Sequence, residues 1–359
     1  MTKTSRFLIL VLVSLFLGLL DGRFAVQVDC QERAPADGPC SDAMAQRAQG
    51  RWIHDKDLLY DVSVGFVNEA SKRMDEMHRM LTEVYPSPTG VDAVWHRHKG
   101  HVLFADDVTH AKGIPVGGYY YSVGFFRYFC DPSNKNRMIS GYPGETRTFF
   151  TISANCYPPW EGIADDPWAI DGRPVMRRAP LKQMWKGHPM FRGSNFCTVL
   201  IHRNGMLPYI PVTRKQYLDH SIQHLTEIFD TMLVGFRQMP IQQRNDERVS
   251  KAVQNTKEIL KRYQDELEKT TRERLLDSPA IISQVHSPDK TTPIFVTEAE
   301  EGTMLITENA SYIRKESPKY VPQIIVLGLR WNDWEPQKNL DRIVQENFPV
   351  ERLEAMLDR

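Results

Sequence analysis

The densest grouping of chemistry-bearing side chains is WHRHKGH, which carries His96, His98 and His101 and is followed by Asp106, Asp107 and His110. On a strand, residues two apart share a face, so His96 and His98 can offer two imidazoles to one ion while His101 or His110 approaches from the next turn. Zinc is the ion such a set would hold. Arg97 and Lys99 stand against it because their charges repel a cation, and the spacing fixes no carboxylate as a further ligand. On the plainer alternative, WHRHKGH is a solvated basic turn ahead of the apolar run VLFA. His220 and His224, four apart on an expected helix, share a face in the same way.

Aromatic side chains supply a second candidate. Tyr119, Tyr120, Tyr121, Phe125, Phe126, Tyr128 and Phe129 fill both faces of one expected strand, and Trp331 and Trp334 flank Asn332-Asp333. One face can line a core, whereas the other must be covered or used. Tyr119, Tyr121, Trp331 and Trp334 are therefore candidates for stacking on sugar rings or apolar ligands. The alternative is that the second face packs beneath the tryptophan-containing stretch at 158–193 and binds nothing. No GxSxG, HExxH, GxxxxGK[ST] or GxGxxG motif is present, which disfavours common serine hydrolases, zincins, P-loop enzymes and Rossmann enzymes. Asp165-Asp166 and Glu300-Glu301 are sequence neighbours whose side chains diverge on most backbones, which makes them weak acid/base pairs.

These residues sit in a chain of 359 residues that is 41% hydrophobic, enough to bury a substantial core. Lysine plus arginine and aspartate plus glutamate both number 45, a balance with no long-range field for nucleic acid. The opening residues carry Lys3 and Arg6 before the apolar run from Phe7 to Leu20, which Asp21 and Arg23 stop. That is a signal-peptide pattern over 1–27 and predicts a secreted or periplasmic protein beginning near Val28, with no permanent membrane span after cleavage. All five cysteines lie beyond the leader, where disulfides persist. Cys30 with Cys40 and Cys130 with Cys156 are the expected pairs, leaving Cys197 as a buried thiol.

The elements that must hold these groups follow from periodicity. Phe66, Val67, Ala70, Met74, Met77, Leu81 and Val84 mark an amphipathic helix ended by Pro86 and Pro88. From Val102 to Cys156 aromatic and β-branched runs predict an antiparallel meander, so 28–157 forms a helix-plus-sheet unit. The stretch 158–193 reads as an ordered loop with one short helix. A second α+β unit over 194–359 opens with CTVLIHR, the turn Asn204-Gly205 and LPYIPV. Thr213 and Gln216 then form a capping box for a helix at 214–236, which Pro240 breaks. The segment 242–276 carries Val249, Val253, Thr256, Leu260, Tyr263, Leu267 and Thr270 in alternating steps of four and three, a thin heptad seam. It is expected to fold back as a helical arm. Two further strands, GTMLITEN and PQIIVLGLRW, and a helix with Val350, Leu353 and Leu357 close the chain. Strands on both sides of the arm suggest one sheet interrupted by an excursion. The fold class is α+β, with antiparallel sheets packed by amphipathic helices and a long helical arm.

The run from Gly172 to Leu218, especially LPYIPVTRKQYL, resembles secreted bacterial proteins of uncharacterised function, and TMLITENASYIRKESPKYVPQIIVLGLRW resembles their closing strand pair. The resemblance implies export and a bacterial source, but no activity. The expected function is non-enzymatic binding of a ligand or an envelope protein, with no cofactor. The rival is a metal-dependent hydrolase built on His96, His98 and His101.

Overall fold

A computed structural model of the chain describes residues 39–359 apart from 60–63, 100–117, 142–147, 156–167, 193–196, 204, 242–246, 284–291, 301, 313, 315 and 333. The expected leader at 1–27 lies outside the described residues, as do Cys30, His101, His110 and Cys156. No described helix is long and apolar enough to cross a membrane.

The protein is α+β, with two mostly antiparallel sheets. The larger sheet runs β1 (Trp52–His54), β3 (Val91–Lys99), β4 (Tyr119–Cys130), β6 (Thr148–Ala154), β15 (Ile325–Arg330), β11 (Cys197–Ile201), β10 (His188–Arg192) and β9 (Leu181–Trp185). Beside this path, β2 (Leu58–Leu59) pairs with β3 and β5 (Met138–Ser140) with β4. Only β1 and β2 run parallel to their neighbour among the described pairings. The smaller sheet runs β12 (Tyr209–Pro211), β14 (Thr303–Glu308), β8 (Arg173–Arg178) and β7 (Ala169–Ile170), with β13 (Ile281–Ile282) also on β14. Because β15 pairs with β6 on one side and β11 on the other, strands from 28–157 and from 194–359 belong to one sheet.

Strand alternation explains the layers. Tyr119, Tyr121, Val123 and Phe125 of β4 point the same way as Phe150, Ile152 and Ala154 of β6 and Ile325, Leu327 and Leu329 of β15. Covering that face are α2 (Val64–Val84), α5 (Glu335–Asn347) and α6 (Val350–Glu354). On α2 the expected apolar stripe is the buried one, with Ala70, Met74, Met77, Met80 and Leu81 fully enclosed. The methionines and Leu81 each stabilise by about 1.5–3 kcal/mol on burial. On the opposite face of β15, a Cβ on Gly328 would lie 2.4 Å from the Thr151 Oγ1 of β6, so any other residue there would require that hydroxyl to turn away.

A second interior lies between the sheets, where Phe191, Leu200 and Val326 meet Met176, Tyr209 and Ile306. A third lies on the far side of the smaller sheet, where Val175, Val212, Ala280 and Leu305 pack with Tyr217 and Phe295. This third interior roots the arm, formed by α3 (Arg214–Gln238) and α4 (Glu247–Arg272). The capping box is present, since Gln216 N donates to Thr213 Oγ1 and Thr213 N donates to Gln216 Oε1. The helices pack as an antiparallel hairpin, with Tyr217 OH 3.3 Å from Tyr263 OH near the base and Thr256 Oγ1 3.4 Å from Met232 Sδ further out. The seam of α4 is the expected one, half-buried from Val249 to Leu267 and closed only at Thr270.

Four expectations are corrected. The stretch 158–193 holds strands β7 to β10 where a loop was expected. Its two hairpins turn at Asp171-Gly172 and Lys186-Gly187, where all four residues have positive φ, the pattern that matches strand twist. The Asn204-Gly205 connection does not close a hairpin, because β11 and β12 lie in different sheets. A helix, α5, precedes the C-terminal one, with Pro349 separating the two. Finally, Cys40 bonds to Cys130, replacing both expected pairs, Cys30 with Cys40 and Cys130 with Cys156. The helix α1 (Asp42–Arg47) packs near β4, and Cys40 N donates to Lys135 O, so the chain before α1 lies where β4 ends. Cys197 is free, as expected, and partly buried against the main core.

Candidate functional site

The pleat of β3 sorts the WHRHK residues onto two faces, and His96 and His98 lie within a strand where a solvated turn was the alternative. Trp95 and Arg97 face α2. The register sets His54 of β1 opposite Trp95, and His78 arrives from α2. The indole is consequently held between two imidazoles, His54 at 4.1 Å and His78 at 4.0 Å between ring centroids, both nearly parallel to it. His78 Nδ1 lies 3.2 Å from Tyr121 OH, and burial pushes its pKa down to about 4. His54 Nε2 is 3.0 Å from Asp57 Oδ1. Arg97 donates to Asp57 and Asp75, each at 2.9 Å, and the Asp57 bond leads in raising its pKa. The cation set against a metal site is therefore neutralised, and it points to the other face of the strand.

On that other face the imidazoles of His96 and His98 converge, with ring centroids 4.4 Å apart and planes at 65°. His98 stacks on Tyr120 at 3.9 Å. It is 2% exposed, and neither of its ring nitrogens has a hydrogen-bond partner among the described residues. Burial depresses both pKa values, that of His98 to about 3, while the negative charges of Asp55 and Asp57 act on His96 in the opposite sense. Both imidazoles are neutral at pH 7. A base this weak is poorly matched to proton abstraction at neutral pH, whereas a neutral imidazole is the form that ligates a metal. No group of three or more His, Cys, Asp or Glu side chains suited to an ion occurs among the described residues, and His101 and His110 lie outside them.

The aromatic candidates are placed differently from the expectation. Tyr119 and Tyr121 are fully buried in the helix-covered core, and Tyr119 OH donates to Tyr320 O at 3.1 Å, so neither offers a ring to a ligand. Even-numbered Tyr120 lies on the opposite face, against His98. Trp331 and Trp334 are half-buried against the same core, and the Arg127 guanidinium lies 5.8 Å from the Trp334 ring. His220 and His224 stack in parallel 6.0 Å apart, with Trp168 on His220 at 4.2 Å. The pairing of His54, Trp95 and His78 was not anticipated; its one local signal is the spacing of His54 and Asp57. Another unanticipated pair joins His188 Nε2 to Glu354 Oε1 at 2.7 Å, with the ring of His202 5.4 Å away.

Comparison with protein-family models, with curated proteins and with solved structures finds no match.

Proposed function

We propose that the protein is an exported, non-catalytic binding protein whose partner, a protein presenting an apolar helical face, docks along the α3–α4 arm. The observation that carries this reading is the exposure of large apolar side chains at the far end of the arm: Ile228 at 37%, Val234 at 52% and Ile241 at 71%. Beyond Leu218 no residue of α3 is fully buried. Ile222, Leu225, Phe229, Met232, Leu233 and Phe236 form a stripe wider than the thin seam of α4 covers. With 25 residues, α3 is about 37 Å long, enough for another helix to lie along it, and the exposed side chains flank the stripe without extending it, Ile228 beside it and Val234 on the far side of α3. The Cys40–Cys130 bond is compatible with an oxidising compartment and supports export. The engagement of His54 by Asp57 and of His188 by Glu354 supports a structural use of these histidines.

A photo-reactive residue placed at Val234 or Ile241 of the exported protein tests the reading, with Met184, 58% exposed on β9, as the control position. The expected result is one discrete protein adduct from both arm positions, none from Met184, and its loss when Ile228→Glu is added. An adduct at twice the chain mass would assign the arm to a second copy instead, and lipid adducts would assign it to a membrane surface. Absence of any adduct would remove the arm as a docking element.

A further inference from the structure

We propose that His96 and His98 bind one copper(II) ion. Two imidazoles that share an ion at about 2.0 Å place their ring centres roughly 4.4 Å apart when the nitrogens subtend a right angle, and roughly 5.2 Å when the angle is tetrahedral. The observed separation is 4.4 Å. A right-angle pair of nitrogens belongs to the tetragonal geometry of copper(II), whereas zinc prefers the tetrahedral spread and four firm ligands. Copper(II) also heads the affinity order of divalent first-row ions for nitrogen donors.

Two further observations point to an occupant. Same-face neighbours along a strand are about 6.6 Å apart at the backbone, so these rings lean together from positions that would hold them further apart. His98 is enclosed to 2% exposure with both ring nitrogens unpartnered among the described residues, an arrangement that costs stability unless a bound ion or water satisfies it. The nearest cation does not oppose an ion there, since Arg97 is paired with Asp57 and Asp75 on the opposite face.

The inference is independent of the arm, and its test does not involve a partner. Untagged mature protein, purified without chelator, is titrated with copper(II) and separately with zinc(II) against a chromophoric competitor, and the copper form is examined by pulsed EPR. The expected result is one copper per chain with two imidazole nitrogens in the equatorial plane, and weaker zinc binding. His96→Ala and His98→Asn should each weaken copper by about 10-fold or more, and the pair should abolish the two-imidazole signal, while His224→Ala leaves both unchanged. Should the His98 variant fail to fold, His96→Ala carries the test, because its ring is the less enclosed. Copper bound through a single imidazole, or bound equally well by the double variant, would place the ion elsewhere, for instance at the free N-terminus. No binding at micromolar copper would leave water as the partner of His98 and overturn the proposal.

Discussion

Cys40 and Cys130 are joined across a sequence separation of 90 residues, which ties the chain ahead of α1 to the last residue of β4. In the chain-entropy model a closed loop of this size restricts the unfolded chain by an amount worth about 4.6 kcal/mol. Cys40→Ser with Cys130→Ser should therefore lower the stability measured by urea unfolding by about that much, and reductant should have the same effect on the native protein. Cys197→Ser should change little, since that thiol is free. Peptide mapping of exported protein that links Cys130 to Cys156 would contradict the pairing.

Most of the fold was legible because its signals are local. The stripe from Phe66 to Leu81, the capping box at Thr213 and Gln216, and the seam from Val249 to Thr270 each fix a helix within a few turns, and each helix is where the periodicity placed it. The hairpins at Asp171-Gly172 and Lys186-Gly187 were overlooked because the strands they join alternate poorly; Leu181 to Met184 of β9 are all exposed. There the turn residues carried the information, as a glycine after a residue able to take positive φ. The disulfide and the sandwich of Trp95 between His54 and His78 depend on contacts between segments far apart in sequence, which no local period records. For the candidate site, strand geometry alone places His96 and His98 on one face. The burial of Tyr119 and Tyr121 instead depends on which face of β4 the helices cover, a tertiary choice.

The arm should behave as a unit less stable than the sheets. Its seam is half-buried, so Leu260→Asp puts a charge into the seam of α4, outside the three buried clusters that join sheets and helices. Hydrogen exchange should show faster exchange throughout α3 and α4 and unchanged protection in β4, β6 and β15, with a local destabilisation of about 1–3 kcal/mol. Loss of protection across the sheets as well would mean that the hairpin is part of the global folding unit.

Acid should weaken the protein in part through His78. In the unfolded chain this imidazole takes up a proton near pH 6.5, whereas in the folded protein burial holds its pKa at about 4, helped by His54 and Arg97 and opposed by Asp75. Folding then excludes a proton, so the stability associated with this group is complete above about pH 6.5, falls as the pH drops towards 4, and changes no further below that. His188 is shifted in the same direction by burial, against the pull of Glu354. His78→Phe retains a flat ring against Trp95 and removes the titration. Urea midpoints for the native protein should fall faster than those of the variant between pH 6.5 and 4, and the two should run parallel above pH 7. Parallel profiles throughout would show that the folded protein protonates His78 normally.

Arg203 and Asp358 hold the C-terminal end against the strand region. Arg203 Nε and a terminal nitrogen each donate to a different Asp358 oxygen at 2.5 Å, the same terminal nitrogen donates to Gln323 Oε1 at 3.1 Å, and the other donates to the carbonyl of Tyr312, whose ring lies 4.3 Å from the guanidinium. Both charged side chains are largely enclosed, at 14% and 17% exposure, so the pair is less screened than a surface ion pair. Its planar fork cannot be reproduced by lysine, which makes Arg203→Lys an informative change in spite of the retained charge. Arg203→Lys and Asp358→Asn should each destabilise by about 1–3 kcal/mol, because each strands a partner that is partly desolvated. In a double-mutant cycle with alanine at both positions, the coupling should be about 1–2 kcal/mol. A coupling near zero would mean that Arg203 acts through Tyr312 and Gln323 alone and that Asp358 acts through Arg314, which lies 3.5 Å from its carboxylate.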